Sequence, residues 1–336
     1  MSHENLDQIL LACSLRRALV RENPDNAYRL FSGFREGEPH LVIDRYRHTL
    51  VMYDHSLETT FDQTIFESLI EKLKQLFPEL QSVILKARNS GQAELRNGIH
   101  IHGEPPDRWI REYGIRYSID LQLNQDASFY LDTRHLRQWL MNNALEKTVL
   151  NTFAYTGSLG TAAMAGNASQ VIQTDLNRNF LNVAKTSYSL NGFPVEKQNF
   201  ISGDFYKVIA RLKNTKQLFD LVILDPPFFS DTAAGRVDIV HQYKRLINKV
   251  RPLVGHEGKL IAVNNAVFLS GQAYMAILED LCQSKYLSLD SLIPVPEDCI
   301  GFPQSIITPP LVDPTPFNHS TKIAVLHITR KDQRIP

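Results

Sequence analysis

Cysteine is scarce in this chain of 336 residues: Cys13, Cys282 and Cys299 are the whole complement, far apart and without a C-x-x-C pair. Such spacing gives neither a disulfide framework nor a zinc site, and no metal is expected. Long apolar runs are missing too, as is a basic-then-apolar leader, so no segment reads as a membrane span or an export signal. The composition is that of a reduced, cytoplasmic protein. Charge of one sign is also absent, since Lys+Arg and Asp+Glu each number 36. No global field therefore draws in nucleic acid, and any such contact has to come from a local basic face. Repeats and low-complexity segments are lacking, although 306–318 is rich in proline and reads as an ordered surface loop or lid. What is present is apolar content, 43% of the chain, ample for one large or two medium domains.

The stretch 149–229 organises the rest. It opens with V-L-N-T-F-A-Y-T-G-S-L-G (149–160), a short apolar strand running into a small-residue turn, and the helical sequence 161–168 follows. This is the layout of a nucleotide-binding β-turn-α unit, with Gly157 and Gly160 expected to let the backbone approach a ligand. The next apolar run, 170–174, ends at Asp175, placed where an acidic side chain accepts hydrogen bonds from ribose hydroxyls. Farther on, Asp225-Pro226-Pro227-Phe228 follows the continuous apolar run 221–224. That places it at the carboxyl edge of a buried parallel sheet, where open α/β folds bind their ligands. Two successive prolines remove two backbone donors and stiffen the support of the Asp225 carboxylate and the Phe228 ring.

These residues resemble class I S-adenosylmethionine (SAM)-dependent methyltransferases, and among them the ribosomal RNA large-subunit methyltransferase family that includes cytosine-C5 enzymes. The family's glycine turn F-x-Y-T-G-G is similar to F-A-Y-T-G-S here, its acidic residue after the second strand to Asp175, and its D-P-P-x-F to 225–229. F-Y-L-D-T-R (129–134) is similar to F-F-L-D-Q-R, Asn191-Gly192 to the N-G after the following helix, and L-V-I-D-R-Y (41–46) to L-V-V-D-R-Y. The resemblance implies a Rossmann-like α/β fold with the seven-stranded class I methyltransferase sheet, SAM as cofactor, and RNA as partner. It implies a cofactor site drawn from Asp132, Arg134, Tyr155, Thr156, Gly157, Ser158, Asp175, Leu176, Asp204, Phe205 and Asp225. Asp225, Pro226 and Phe228 take the catalytic positions, while Phe229, Tyr243 and Lys244 are expected at the substrate.

Along the chain, 6–21 reads as a helix whose Arg16, Arg17 and Arg21 form a solvated face. Short strands at 28–31, 41–44, 49–53 and 82–87 flank a helix at 61–76, which together make a small α+β accessory domain over 1–118. The methyltransferase domain is expected over 119–336. Asp132 reads as the cap of a helix over 136–143, and the resemblance implies with equal weight that it lies near the cofactor's methionine end. Asp204 reads as a helix cap, while the resemblance to class I methyltransferases implies an acceptor for the adenine amino group, an amine that would satisfy a carboxylate otherwise left without a partner in a partly dry cleft. Tyr243 and Lys244 read as binders of a base and a phosphate, or as an ordinary basic helix end. Residues 230–238 read as a polar loop. A strand at 259–263, a helix at 273–284, and an antiparallel pair at 287–294 and 322–328 close the sheet.

Asp225 and the Pro226 carbonyl are placed to accept hydrogen bonds from an exocyclic amine while Phe228 packs on a base. Carbon 5 of cytosine, a poor nucleophile, is attacked in the resembling family with help from a cysteine after the fifth strand. Here Asn265 stands at that position, within Val263-Asn264-Asn265-Ala266. The family's K-T-G is Asp126-Ala127-Ser128, and its amino-terminal RNA-binding module has no room before Leu41. The expectation is therefore methyl transfer to a nitrogen of a nucleobase in RNA. A small-molecule or protein methyltransferase, or a non-catalytic RNA-binding descendant, remains as an alternative. A homodimer is one open assembly state.

Overall fold

In the computed structural model of the protein, the described residues are 3–57, 63–227, 229–232, 235–238 and 242–330, with side chains described over 5–57, 66–227 and 242–330. The chain packs as two units: Met1–Asp132 together with Pro296–Pro310, and Thr133–Val295 together with Leu311–Pro336. The sequence placed its division at 118/119 and left 306–318 as one loop.

The first unit comprises α1 (His3–Leu15), α2 (Arg17–Glu22), β1 (Ala27–Phe31), β2 (Leu41–Tyr46), β3 (Thr49–Asp54), α3 (Gln63–Leu76), β4 (Ser82–Ala87), α4 (Ala93–Asn97), β5 (Ile99–Gly103), β6 (Trp109–Glu112) and β7 (Ile115–Ser118). Strands β1 to β5 form one sheet in chain order. Only β3 and β4 are parallel, because α3 provides the crossover that a parallel pair needs. Ile9, Ala12 and Cys13 of α1 and Leu69 and Leu73 of α3 cover Leu30, Ile43, Leu50 and Met52 of the sheet. Arg16 departs from the solvated face expected of it. It lies between α1 and α2 in the chain, fully buried, with Nη1 2.8 Å from Glu36 Oε1. Its remaining donors reach the carbonyls of Ala12, Arg29 and Asp298. A buried guanidinium is tolerated because every face of it finds an acceptor.

The second unit runs α5 (Arg134–Asn143), β8 (Thr148–Thr152), α6 (Ser158–Ala165), β9 (Gln170–Asp175), α7 (Arg178–Leu190), β10 (Phe200–Ser202), α8 (Phe205–Asn214), β11 (Phe219–Leu224), β12 (Phe229–Thr232), β13 (Gly235–Asp238), α9 (Tyr243–Val250), β14 (Val254–Asn264), α10 (Gly271–Cys282), β15 (Leu287–Ile293) and β16 (Lys322–Ile328). Its seven-stranded sheet has the order β10-β9-β8-β11-β14-β16-β15. The first five strands are parallel, and β16 runs antiparallel to both β14 and β15. Beyond the exposed Asp220 near its start, the central strand β11 is apolar toward both faces, with Leu221, Val222, Ile223 and Leu224 all at 0% exposure, because helices cover both faces. The stretch expected as a polar loop carries instead a two-stranded ribbon, in which β12 pairs antiparallel with β13.

Candidate active site

Strand order reverses beside β8: β9 and β10 follow to one side of it, β11 and β14 to the other. The crevice at the carboxyl ends of β8 and β11 is where such a sheet binds ligands. The turn leaving β8 is built from alternate left-handed residues, Phe153 (φ 53°), Tyr155 (φ 51°) and Gly157 (φ 75°). Two of these are aromatic, a conformation that persists only where the surroundings hold it. They are held here by Ala154 N–H donating to Thr174 O, Tyr155 N–H to Asp175 Oδ2 and Gly157 N–H to Ala154 O, each at 2.8 Å. The turn is thereby bolted to the end of β9.

The two glycines have a reason within the protein besides the ligand approach the sequence offered. A Cβ on Gly157 would lie 2.4 Å from Ala184 Cβ and 2.6 Å from Gln173 Oε1, and one on Gly160 would lie 2.4 Å from Gln173. They let α6 and its turn close on β9 and α7, so their small size serves packing within the protein.

Asp175 ends β9 half-buried, its Oδ1 accepting from Asn177 N–H and its Oδ2 from Tyr155 N–H, both at 2.8 Å. Burial raises its pKa against the lowering effect of those backbone donors. Each oxygen keeps a second lone pair for a hydroxyl. Leu176, next in the chain, is 60% exposed, an apolar side chain offered at the sheet edge. Asp204 is the cap of α8, and only one of its oxygens is used for it. Oδ1 caps α8, accepting from Lys207 N–H at 3.1 Å, while Oδ2 is buried with no hydrogen-bond partner. Phe205 stacks on Phe153 with ring centroids 4.5 Å apart. Thr156 is buried and Ser158 begins α6 half-buried.

Asp225 follows β11 half-buried, with Pro226 buried and Pro227 exposed behind it. Phe228 lies outside the described residues; Phe229 is described as backbone only, at the start of β12. Asp132, the last residue of the first unit, does not cap α5: Thr133 occupies that position, its hydroxyl accepting from Arg137 Nη1 at 2.8 Å. Arg134 is the first residue of α5 and 7% exposed.

Tyr243 is not available in the role expected of it, and Lys244 has the exposed setting of a basic helix end. Tyr243 is 1% exposed, its hydroxyl donating to Val263 O at 2.7 Å, and its ring meets Tyr274 edge-on. A ring so placed supports β14 and has no free face for a base. Lys244 extends along the protein surface to an ion pair with Asp280 of α10.

Two groups at the carboxyl edge of β14 are absent from the sequence-based site. Asn265, half-buried, holds Oδ1 buried and without a hydrogen-bond partner. Lys322, paired in register with Asn264, is fully buried, with Nζ donating to Ala266 O at 3.0 Å and Ser320 O at 2.6 Å. Burial lowers its pKa to about 8. A lysine at the start of an apolar strand gives no sequence signal of this, whereas Asn265 stood in view beside the motif. Among the described residues no cluster of His, Cys, Asp and Glu is disposed to hold a metal ion, and no helix is long and apolar enough to cross a membrane.

A reversing parallel sheet closed by an antiparallel pair, with acidic groups after β9, β10 and β11, defines a class I nucleoside-cofactor transferase. The chain belongs to the S-adenosylmethionine-dependent methyltransferase family, whose model matches residues 82–284. It is similar to Ribosomal RNA large subunit methyltransferase I of Photobacterium profundum, 30% identical over 80% of this chain and 68% of that protein. The same-named protein of Tolumonas auensis is 31% identical over 79% of this chain and 67% of its own. Thus the chain spans about two thirds of the length of these relatives. Among solved structures, one from Streptococcus mutans described as a SAM-dependent methyltransferase superposes with a TM-score of 0.80 at 20% identity, covering 96% of this chain and 80% of that one. The M. jannaschii tRNA m1G37 methyltransferase superposes at 0.57 and 16% identity, covering 97% and 79%. At those identities the structural likeness bears on the fold alone.

The site fits the cofactor. An orphaned carboxylate oxygen at Asp204, a carboxylate at Asp175 held by two backbone donors and an exposed apolar Leu176 are groups of the kind that an adenosine's amine, ribose hydroxyls and ring could use.

Proposed function

We propose that this chain methylates a nitrogen of a nucleobase in RNA, with Asp175 on the cofactor's ribose, Asp204 Oδ2 on its adenine amine, and Leu176 and Phe205 flanking the ring. RNA is favoured by the relatives at about 30% identity, which are named as ribosomal RNA methyltransferases. The observation that favours nitrogen over carbon is Asn265, a carboxamide where the resembling cytosine-C5 enzymes carry their cysteine. No other thiol substitutes for it. Cys13 and Cys299 belong to the first unit and are buried, and Cys282 ends α10 with its pKa raised by burial.

Bound SAM supplies a methyl group on a positively charged sulfur, ready for in-line attack. The chain's own task is to hold the acceptor's lone pair on that line and keep water out. Asp225 accepts a hydrogen bond from the amino or imino group of the base, and Pro226 fixes the backbone beneath it so that the carboxylate does not turn away.

The test is a tritiated-methyl assay on unmodified large-subunit ribosomal RNA transcript, with the product digested to nucleosides and identified by mass. Label on a base nitrogen is expected, and Asp225→Ala is expected to lower transfer by about 100-fold or more while the affinity for S-adenosylhomocysteine changes far less. Label on carbon 5 of cytosine, or full activity in the variant, would overturn the assignment.

A further inference from the structure

The turn that follows β14 carries two features that the fold does not use. Strands β11 and β14 are parallel neighbours, with Leu224 in register with Ala262. Asp225 after the one and Asn265 after the other therefore stand at the same carboxyl edge of the sheet. Beyond Asn265 the chain folds back tightly, with Leu269 N–H donating to Ala266 O at 3.3 Å. Ala266 is held through both of its backbone polar groups. Its N–H donates to Asn264 Oδ1 at 3.0 Å, and its carbonyl also accepts from the buried Lys322 Nζ at 3.0 Å. The turn thus stands on a fixed support.

The first unused feature is the Asn265 carboxamide. Its Oδ1 is buried and accepts no hydrogen bond among the described residues. An acceptor withdrawn from water without a donor in exchange destabilises the folded chain. The second feature is the tip. Val267 and Phe268 fill the two central positions of the turn, where glycine, proline, asparagine, aspartate and serine ordinarily supply the geometry or a local hydrogen bond. They are 43% and 75% exposed, whereas Leu269 beside them packs against the core. A phenyl ring left so far in water forgoes most of the free energy its burial would give. A lone apolar side chain on a surface is ordinary. One placed beside an orphaned acceptor, at the sheet edge where such folds bind ligands, calls for a ligand.

We infer that this turn is the second half of the acceptor-base site: Asn265 Oδ1 accepts a hydrogen bond from the exocyclic amino group of the base to be methylated, and Phe268 stacks on an unpaired base next to it. The inference rests on the RNA reading of the proposed function and names the class of base it takes. A carboxamide oxygen only accepts, so it favours adenine, guanine or cytosine, which carry an amino group, over uracil, whose exocyclic groups are carbonyls. Bases splayed out of a single strand stack on aromatic rings, and an exposed phenyl at a tight turn offers its face without rearrangement.

The test is steady-state transfer of tritiated methyl from SAM to unmodified large-subunit ribosomal RNA transcript by the full-length protein, with S-adenosylhomocysteine affinity and melting temperature measured on each variant. Phe268→Ala is expected to raise KM for RNA at least about fivefold. Because it removes an exposed ring, its melting temperature should stay at or above that of the wild type and its affinity for S-adenosylhomocysteine should not change. Phe268→Trp keeps a face for stacking and should hold KM near the wild-type value, whereas Phe268→Leu should behave as the alanine variant does. Asn265→Ala should lower kcat at least about tenfold without loss of the fold, and the wild type should place its label on an amino-bearing base. Kinetics of both alanine variants equal to the wild type, or label on uracil, would overturn the inference and leave the RNA reading standing. A wild type that transfers nothing to RNA would remove that reading and this inference together. A smaller sedimenting species in Phe268→Ala with RNA kinetics untouched would assign the turn to a contact between copies of the chain and overturn the stacking.

Discussion

Asp204 places its two carboxylate oxygens in different environments, and the proposed adenine contact uses only one of them. Oδ1 holds the first turn of α8 by accepting from Lys207 N–H, and Oδ2 is buried with nothing to accept. A buried acceptor without a donor costs about 1–3 kcal/mol. Asp204→Asn retains an oxygen for the cap and turns the other atom into a donor, which meets an adenine amine donor to donor. The variant is expected to keep the wild-type melting temperature and to bind S-adenosylhomocysteine at least about tenfold more weakly, a difference of about 1.4 kcal/mol. Asp204→Ala is expected to lose the same affinity and about 1 kcal/mol of stability besides, through the missing cap. Calorimetry with thermal melts checks both. Affinity untouched in Asp204→Asn would move the adenine elsewhere. The sequence could not choose between cap and acceptor because both ask for the same residue at the same place; the structure shows the cap through Oδ1 and leaves Oδ2 without a partner. Tyr243 failed for the complementary reason. An aromatic next to a lysine reads as a base and phosphate pair, yet α9 turns the ring inward, where its hydroxyl takes Val263 O, and Lys244 outward to Asp280.

Elements were legible where periodicity and buried runs set them. The order of strands and helices from β8 to β16 follows from alternating apolar runs and helical spacing, and only short pieces such as β12 and β13 escaped, since a polar ribbon carries no apolar signal. What spacing cannot show is which neighbour a glycine accommodates. In a helix such as α6, an alanine for glycine ordinarily stabilises by about 1 kcal/mol. Gly160→Ala should gain less than that, because its Cβ would stand 2.4 Å from the Gln173 carboxamide on β9, the end of a fully buried side chain that has to shift. Overpacking of this kind costs about 1–3 kcal/mol. Gln173→Ala should recover part of that loss in the double variant, giving a coupling of about 0.5 kcal/mol or more by urea unfolding. Strict additivity of the two substitutions would mean that the glycine is required by something other than this neighbour, the ligand included.

At the scale of the molecule, the chain does not divide at one point. After β15 it leaves the second unit and contributes 296–310, with the short helix Glu297–Ile300, to the first, and β16 then completes the sheet of the second. No composition shift marks this, because residues from both passages share buried polar contacts whose partners are some 270 positions apart. Arg16 Nη2 donates to Asp298 O, Arg29 N–H to Asp298 Oδ2, Ser32 Oγ to Cys299 O, and Ser305 Oγ to Glu36. A fragment ending at residue 132 loses all four together. With each orphaned buried group costing about 1–3 kcal/mol and a whole domain holding only about 5–15 kcal/mol, the fragment is expected to be marginal. A synthetic peptide of residues 296–310 should raise its melting temperature with increasing peptide concentration, as any ligand of the folded state does. The same peptide carrying Asp298→Ala should raise it less, since it no longer accepts from Arg29 N–H. A fragment that melts sharply and ignores the peptide would show that the returning segment lies on an already complete unit and contributes nothing to its stability.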